Sequence, residues 1–486
     1  MQLLTPTSNT RLLVEPQPPA SLPWIQVAPD APYFVTEEGA SWTPIGQNDA
    51  ITWPDFEGLF QRKNIAAVEG HLAWLVGQGV TCLRFMLEYC QTENRYFERP
   101  VGRFQPNMIK LWDDLFALCE QYGLRVLLTP YDTFWMRRRW KYHPYNKQNG
   151  GPCARRSQWL LSPGMLTAIK QRLTFAAERW GGSGALFAWD LWNEIHPGHA
   201  ANSTAVFDEF VHEVSSHLRE VETRLYGRAH LQTVSLFGPV LYEHPAVADV
   251  IFRHSALDFA TTHFYDAKTI DHPKNTVDSA VRTGALVREA LEHLHQPKPF
   301  FDSEHGPIHA FKDLKRTLPE PFDDEYFRHM QWAHLASGGV GGGMRWPNRH
   351  PHVLTHGMRA AQRSLAGFTS LIDWPQFQRR NLNHEIQLST PAFAGFACGD
   401  AEQALVWLLR QDQRDKKRTV RQTAPPLPLQ LRVPGLRAGT YRVRFWDTVA
   451  GREVGELLAQ TDTEGMLSVP VPPVVADRAL AIRRLA

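Results

Sequence analysis

The sequence predicts a (β/α)8 barrel followed by a small antiparallel β-sandwich, and three observations carry that reading. Apolar runs of strand length alternate with amphipathic runs of helix length over residues 33–380. Eight such strand runs follow one another, most of them with a helix behind. Past about residue 385 the texture changes to short segments alternating in period two. Near-continuous apolar strands separated by helices imply a parallel sheet covered on its outer face, and eight such units match the closed barrel. A doubly wound sheet is the alternative, but it rarely needs eight units and no GxGxxG follows a first strand.

The elements come in this order. Residues 1–32 are a Pro-rich N-terminal extension, and residues 33–48 read as a hairpin running into a first strand that ends at Gln47-Asn48. Helical spacing over 57–79 precedes the strand TCLRFML (81–87), and 107–122 precedes LRVLLTPY (124–131). Helix 164–180 leads to ALFAWDLWNE (185–194), and helix 203–226 to LQTVSLFG (231–238). The run LDFATTHFY (257–265) comes next without a helix of its own. Helix 277–295 leads to PFFDSEHG (299–306), helix 323–337 to GGVGGGMRW (338–346), and helix 356–371 completes the barrel. In residues 381–486, the runs 404–410, 427–433, 441–447 and 466–472, separated by VPGLRAGT and VAGREVG, form the sandwich. The charged stretch 411–422 reads as a solvated hairpin loop.

Composition narrows the function. A chain of 486 residues is too long for one ordinary core. Its 52 basic and 50 acidic residues nearly cancel, so no electrostatic footprint for nucleic acid or an anionic membrane is present. Cys82, Cys90, Cys119, Cys153 and Cys398 are scattered without a CxxC pair, which suggests neither a disulfide framework nor a thiolate zinc site. No basic start leads into an apolar h-region, and no stretch reaches bilayer length. The expectation is a cytoplasmic protein that needs no cofactor and no metal, with its oligomeric state open. The 16 Trp suit either a large core or indole faces that stack on sugars.

In such a barrel the active site lies at the C-terminal ends of the strands. The polar and aromatic residues closing the runs are Asn48, Arg84, Tyr131 with Asp132, Asn193 with Glu194, His263 with Tyr265, Glu304 with His305, and Trp346. Glycoside hydrolysis needs two carboxyl groups flanking one bond, one protonated and one ionised. Glu194 ends strand 4 and Glu304 ends strand 7, so both point across the mouth, which suits the close spacing of about 5–5.5 Å in a retaining mechanism. Each residue also has a plainer reading. A strand-end Glu can cap the next helix, Arg84 can pair with Asp132, His263 can be a core histidine, and Trp346 can be barrel packing. Asp190 and Asp302 fit polar layers inside the barrel better than chemistry.

These residues resemble clan A of the glycoside hydrolases, closest to its family 5. The match rests on Trp192-Asn193-Glu194 with its preceding AWDL, on PFFDSEHG, and on His263-Phe264-Tyr265, and it covers about residues 33–375. The resemblance implies Glu194 as acid/base and Glu304 as nucleophile. It implies that Asn193 contacts the substrate 2-hydroxyl, that Tyr265 and Arg84 hold the nucleophile, and that Trp346 floors the sugar subsite. His263, Asn48 and Asp132 complete the expected substrate-binding set. Strand 3 ends Pro130-Tyr131-Asp132, where family 5 members usually offer a His. The implied partner is an oligo- or polysaccharide.

Two other classes remain. A metal-dependent barrel isomerase or hydrolase would use His clusters such as His305/His309 or His350/His352/His356, although the HxH at 350–352 falls in a loop rather than at a strand end. A non-catalytic carbohydrate-binding barrel would keep the shape without turnover, against the presence of both carboxylates. The long loop 135–156 should lie over the site, with Trp135, Trp140, Tyr142 and Tyr145 available to stack on sugars and Arg137, Arg138 and Arg139 to pair with an acidic sugar or with the protein's own carboxylates.

Overall fold

Parallel ladders build most of the barrel in the computed structural model, which describes residues 22–87, 96–308 and 317–485. Residues 1–21 of the expected extension, Cys90, His309 and the Trp135 side chain lie outside that set. Strands β1 (Gly46–Asp49), β2 (Cys82–Met86), β3 (Arg125–Thr129), β4 (Leu186–Asp190) and the first half of β5 (Leu231–Thr233) pair in sequence order. The second half of β5 (Ser235–Phe237), β6 (Ala260–Phe264) and β7 (Phe300–His305) carry the sheet on.

The expected eighth strand, GGVGGGMRW, is not a regular strand. Its backbone still closes the barrel, because Arg345 makes parallel bridges to both Gln47 and His305. Glycine explains the irregular path. Gly341 and Gly343 sit at φ +69° and +74°, in the left-handed region, and a Cβ on Gly341 would fall 2.2 Å from the Pro44 carbonyl.

Among the described residues, eight helices of nine or more residues flank the barrel: α1 (Ile65–Gly77), α2 (Pro106–Tyr122), α3 (Pro163–Trp180), α4 (Thr204–Tyr226), α5 (Pro245–Arg253), α6 (Thr276–Glu292), α7 (Glu320–Ala336) and α8 (His356–Thr369). Their starts are written in the sequence. Ser162, Ser203, Asn275 and Thr355 each accept a hydrogen bond from a first-turn backbone N–H of α3, α4, α6 and α8. The helical spacing read over 57–79 breaks, with a 3-10 turn at Glu57–Arg62 ahead of α1. Helix α5 fills the connection in which no helix was expected. Below, Phe34 from an N-terminal hairpin plugs the barrel, its ring edge-on to Phe187 at 5.0 Å and Phe259 at 5.4 Å.

The C-terminal sandwich packs a six-stranded antiparallel sheet against a three-stranded one. It includes strands Phe393–Gly399, Arg452–Gln460 and Asp477–Arg484 beyond the four expected runs. The loop 411–422 is a turn closed by an antiparallel bridge between Arg414 and Val420. Among the described residues, no helix is long and apolar enough to cross a membrane.

A continuous apolar layer joins sandwich to barrel, with Phe396, Trp407 and Trp446 packed in one cluster with Trp332 and Phe368 of α7 and α8. Inside it lies an ion pair. Arg328 of α7 donates to both Asp477 oxygens at 2.8 Å, and Trp407 Nε1 donates to Asp477 at 3.0 Å. Burial alone would raise the Asp477 carboxyl, but Arg328 and His329 outweigh it and hold it below its ordinary value. Removing one partner strands the other charge. Asp477→Asn should therefore cost about 3–5 kcal/mol in denaturant unfolding. The pair Arg328→Met with Asp477→Leu should recover most of that loss. Equal losses in the single and double variants would show that the ion pair does not join the two units.

Candidate active site

At the centre of the mouth lies Arg84 of β2, fully buried. A guanidinium in that position must be neutralised and its donors satisfied. Nη1 donates to Asn48 Oδ1 at 2.8 Å and to Glu304 Oε2 at 3.0 Å, while Nη2 donates to Asp190 Oδ2 at 2.8 Å and to Asn193 Oδ1 at 2.5 Å. Burial would lower the Arg84 pKa, but Asp190 and Glu304 more than compensate and raise it above its ordinary value. Arg84 thus pairs with Asp190 and Glu304, and the alternative pairing with Asp132 does not form.

The partners of Arg84 are fixed in turn. Asn48 donates to the Ser303 and Met344 carbonyls at 2.8 and 3.2 Å, so its amide ties β1 to β7 and to the glycine-rich eighth segment. Asn193 donates to Asp132 Oδ1 at 2.7 Å, so its amide is oriented from both ends. Asp132 also accepts from Phe134 N at 3.0 Å, at the start of the short helix Thr133–Arg139. Asp190 accepts further hydrogen bonds from Thr129 Oγ1 and from both the N–H and the hydroxyl of Ser235. This is the polar layer expected of Asp190. Ser235 was not singled out in the sequence, because nothing in LQTVSLFG marks it apart from its neighbours.

Glu194 stands one residue beyond Asn193, at φ +51°. Left-handed backbone at a non-glycine residue is unfavourable and persists only where its surroundings enforce it. Here the Glu194 N–H donates to Ser235 Oγ at 3.2 Å. Its carboxylate shares a 2.9 Å hydrogen bond with His263 Nδ1, and the side chain stays 19% exposed. Burial, with a further push from Asp190 and against Arg84, raises its pKa to about 7.

Glu304 ends β7 and remains 10% exposed at its side chain. It receives Tyr265 Oη at 2.7 Å besides Arg84. Asp302 orients it by accepting from the Glu304 N–H at 3.1 Å and the Phe264 N–H at 3.0 Å. Burial raises the Glu304 pKa and Glu194 adds to that, while His263, Arg84 and Tyr265 act to lower it. The net direction is upward, so the donors offset burial without overturning it. Between the two carboxylates sits His263, which burial holds to about 4 and therefore neutral near pH 7. One donor atom each from Glu194, His263 and Glu304 lies within 4.8 Å of the others.

That triangle has the composition of a metal site, but Arg84 already occupies one edge of Glu304, and a dication there would meet a like charge. Asp49, Asp55 and His71 form a second group of this kind. His350 and His352 join no such group among the described residues; His352 stacks on Trp53 at 4.7 Å.

Trp346 is buried beside Trp53, with ring centroids 5.1 Å apart, in a small cluster with Ala50 and Met86. In the long loop after β3, Tyr145 is fully buried and donates to Glu98, while its hydroxyl meets that of Tyr131 at 2.7 Å. Tyr145 is therefore taken up inside the protein, and Tyr142 is exposed. Arg172 donates to Glu98 and to the Pro130 carbonyl, which anchors this loop to the end of β3.

No family model and no curated protein matches the chain. Solved structures do. One described as a glycoside hydrolase is 12% identical with a TM-score of 0.59, covering 95% of this chain and 98% of that one. A glycoside hydrolase family 5 protein from Bacteroides vulgatus is 11% identical at TM-score 0.58, covering 95% and 94%. An endo-beta-1,4-mannanase from Thermotoga petrophila is 14% identical at TM-score 0.53, covering 89% and 98%. At these identities the likeness is one of fold. The chain has the (β/α)8 fold of these glycoside hydrolase family 5 structures, here with an antiparallel β-sandwich behind it.

Proposed function

We propose that the chain is a retaining glycoside hydrolase that cleaves a β-linked bond in an oligo- or polysaccharide, with Glu304 as nucleophile and Glu194 as acid/base. The observation that carries this reading is the proximity of the two carboxylates, with oxygens within 4.8 Å. A retaining pair stands about 5–5.5 Å apart, whereas an inverting pair needs about 6.5–9.5 Å to admit water.

The environments divide the roles. Two coupled carboxyl groups at this distance do not both ionise easily. Glu304 has a guanidinium and a phenol hydroxyl as donors to its charged form; among the described residues Glu194 has the neutral His263. The pair therefore keeps its proton on Glu194 and its charge on Glu304. Glu304 attacks the anomeric carbon as Glu194 protonates the departing oxygen. Glu194 then deprotonates water, which releases the sugar from Glu304. In this reading Asn193, held by Arg84 and Asp132, meets the substrate 2-hydroxyl, and Trp346 floors the subsite. His263 and Tyr265 line it, and Asn48 and Asp132 act through the residues they hold. The fold neighbour that is an endo-beta-1,4-mannanase makes β-mannosides the first substrates to try.

The direct test is product stereochemistry by proton NMR on a panel of β-glycosides. The β-anomer should form first, and initial release of the α-anomer would overturn the assignment. Because Glu194 must carry a proton, kcat/KM should fall as pH rises through about 7. Glu194→Gln should abolish that basic limb for activated aryl leaving groups and cost about 10²–10⁴-fold with poor ones. An unchanged limb would remove Glu194 from the role. Tyr265→Phe deletes a donor to ionised Glu304, so the acidic limb should move to higher pH. The rate should fall roughly tenfold to a hundredfold. An unmoved acidic limb would show that Tyr265 does not hold the nucleophile.

A further inference from the structure

Basic groups gather on one side of the mouth. The loops after β3, β4 and β5 all leave from the C-terminal face of the barrel, and they bring two arginines and three histidines together. Arg137 lies on the short helix after β3, and Arg156 opens a 3-10 turn further along the same loop. His196 and His199 flank the turn Pro197–Ala200, two and five residues beyond Glu194. His244 stands between the short helix Val240–Glu243 and α5. The turn Arg156–Gln158 packs against the turn Pro197–Ala200, and Arg137 acts on both His196 and His199, Arg156 on His199, and His244 on His196. The two imidazole centroids are 5.7 Å apart, and His199 packs on Trp159 at 4.5 Å.

Among the described residues, neither Arg137 nor Arg156 has a carboxylate within ion-pair distance. Glu243 acts on His196, and among the described residues neither His196 nor His199 has a carboxylate within ion-pair distance. Asp49 ends β1 and Asp55 follows it. Asp266 follows β6 but is paired with Arg282 at 3.1 Å. Two guanidiniums without a carboxylate partner among the described residues, on one side of the mouth, form a field that favours an anion, and His196 and His199, which burial lowers, stand beside them as neutral imidazoles.

The position of that field relative to the reaction follows from the proposed role of Glu194, on which this inference rests. The acid must reach the departing oxygen, so the leaving unit lies on the β4 side, beside His196 and His199. We infer that the subsite for the leaving unit takes an anionic sugar, a uronate whose planar carboxylate matches a guanidinium fork. Arg137 and Arg156 are the specificity-determining residues, since arginine pairs with carboxylates through two parallel N–H donors. A neutral hexose in the same place would leave both guanidiniums to water.

The test uses two matched pairs of β-1,4-linked disaccharides, one built on mannose and one on glucose. In each pair the reducing-end unit is either the hexose or the corresponding hexuronate. For the pair that is cleaved, the full-length protein at low salt should favour the uronate in kcat/KM by roughly tenfold or more. High salt should shrink that ratio. In the variant combining Arg137→Gln and Arg156→Gln the ratio should approach one. The ratio is internal to each protein, so a variant of lower overall activity still reports it. Equal rates or a hexose preference in the unaltered protein would overturn the inference, as would a preference that survives the double substitution. If no disaccharide is cleaved, the glycosidase reading itself fails, and calorimetric titration with the same four sugars decides the subsite separately. Uronate binding lost in the double variant supports the subsite; equal or absent binding of hexose and uronate overturns it.

Discussion

The site is organised around one buried positive charge. Arg84 has no access to water, so each donor it directs into the mouth must find an acceptor or incur the desolvation penalty of a stranded charge. That constraint ties four strand ends together, through Asn48, Asp190, Asn193 and Glu304. These residues are held by a charge that would be costly to leave unmatched, on strands fixed by parallel ladders. The apolar plug at the bottom of the barrel and the sandwich behind α7 and α8 keep those ladders from opening.

Around this centre the two carboxylates, similar in sequence, are made chemically different. Glu304 faces Arg84 and Tyr265, while Glu194 faces a histidine that burial keeps neutral. Glu194 also sits on strained backbone, and the Asp190–Ser235 contact that supports it begins at Arg84. Local strain at Glu194 is thus sustained by the same buried charge that pairs with Glu304. A change at Arg84 reaches both carboxylates.

Much of this architecture is legible in the sequence, because helical and strand periodicities differ and alternate cleanly from residue 57 to residue 369. Glu194, Glu304 and their neighbours are marked in the sequence as the polar residues that close apolar runs. What periodicity does not carry is equally specific. GGVGGGMRW is apolar enough to read as a strand, yet its left-handed glycines break the ladder down to one bridging residue. Helix α5 escaped because it is a short connection introduced by Pro245. The sandwich strand Arg452–Gln460 escaped because it is mostly exposed and offers no apolar face. Ser235 and the φ of Glu194 depend on contacts between strands 41 residues apart, which no local pattern records.

The central claim is that Glu304, held by Arg84, forms a bond to the sugar. An activated 2-deoxy-2-fluoro-β-glycoside slows release of such an intermediate and lets it accumulate. Intact-mass analysis followed by peptide mapping should find one fluoroglycosyl unit attached to Glu304. Attachment to Glu194 or to another carboxylate would contradict the account, as would turnover of the parent β-glycoside with no covalent species from its fluoro analogue.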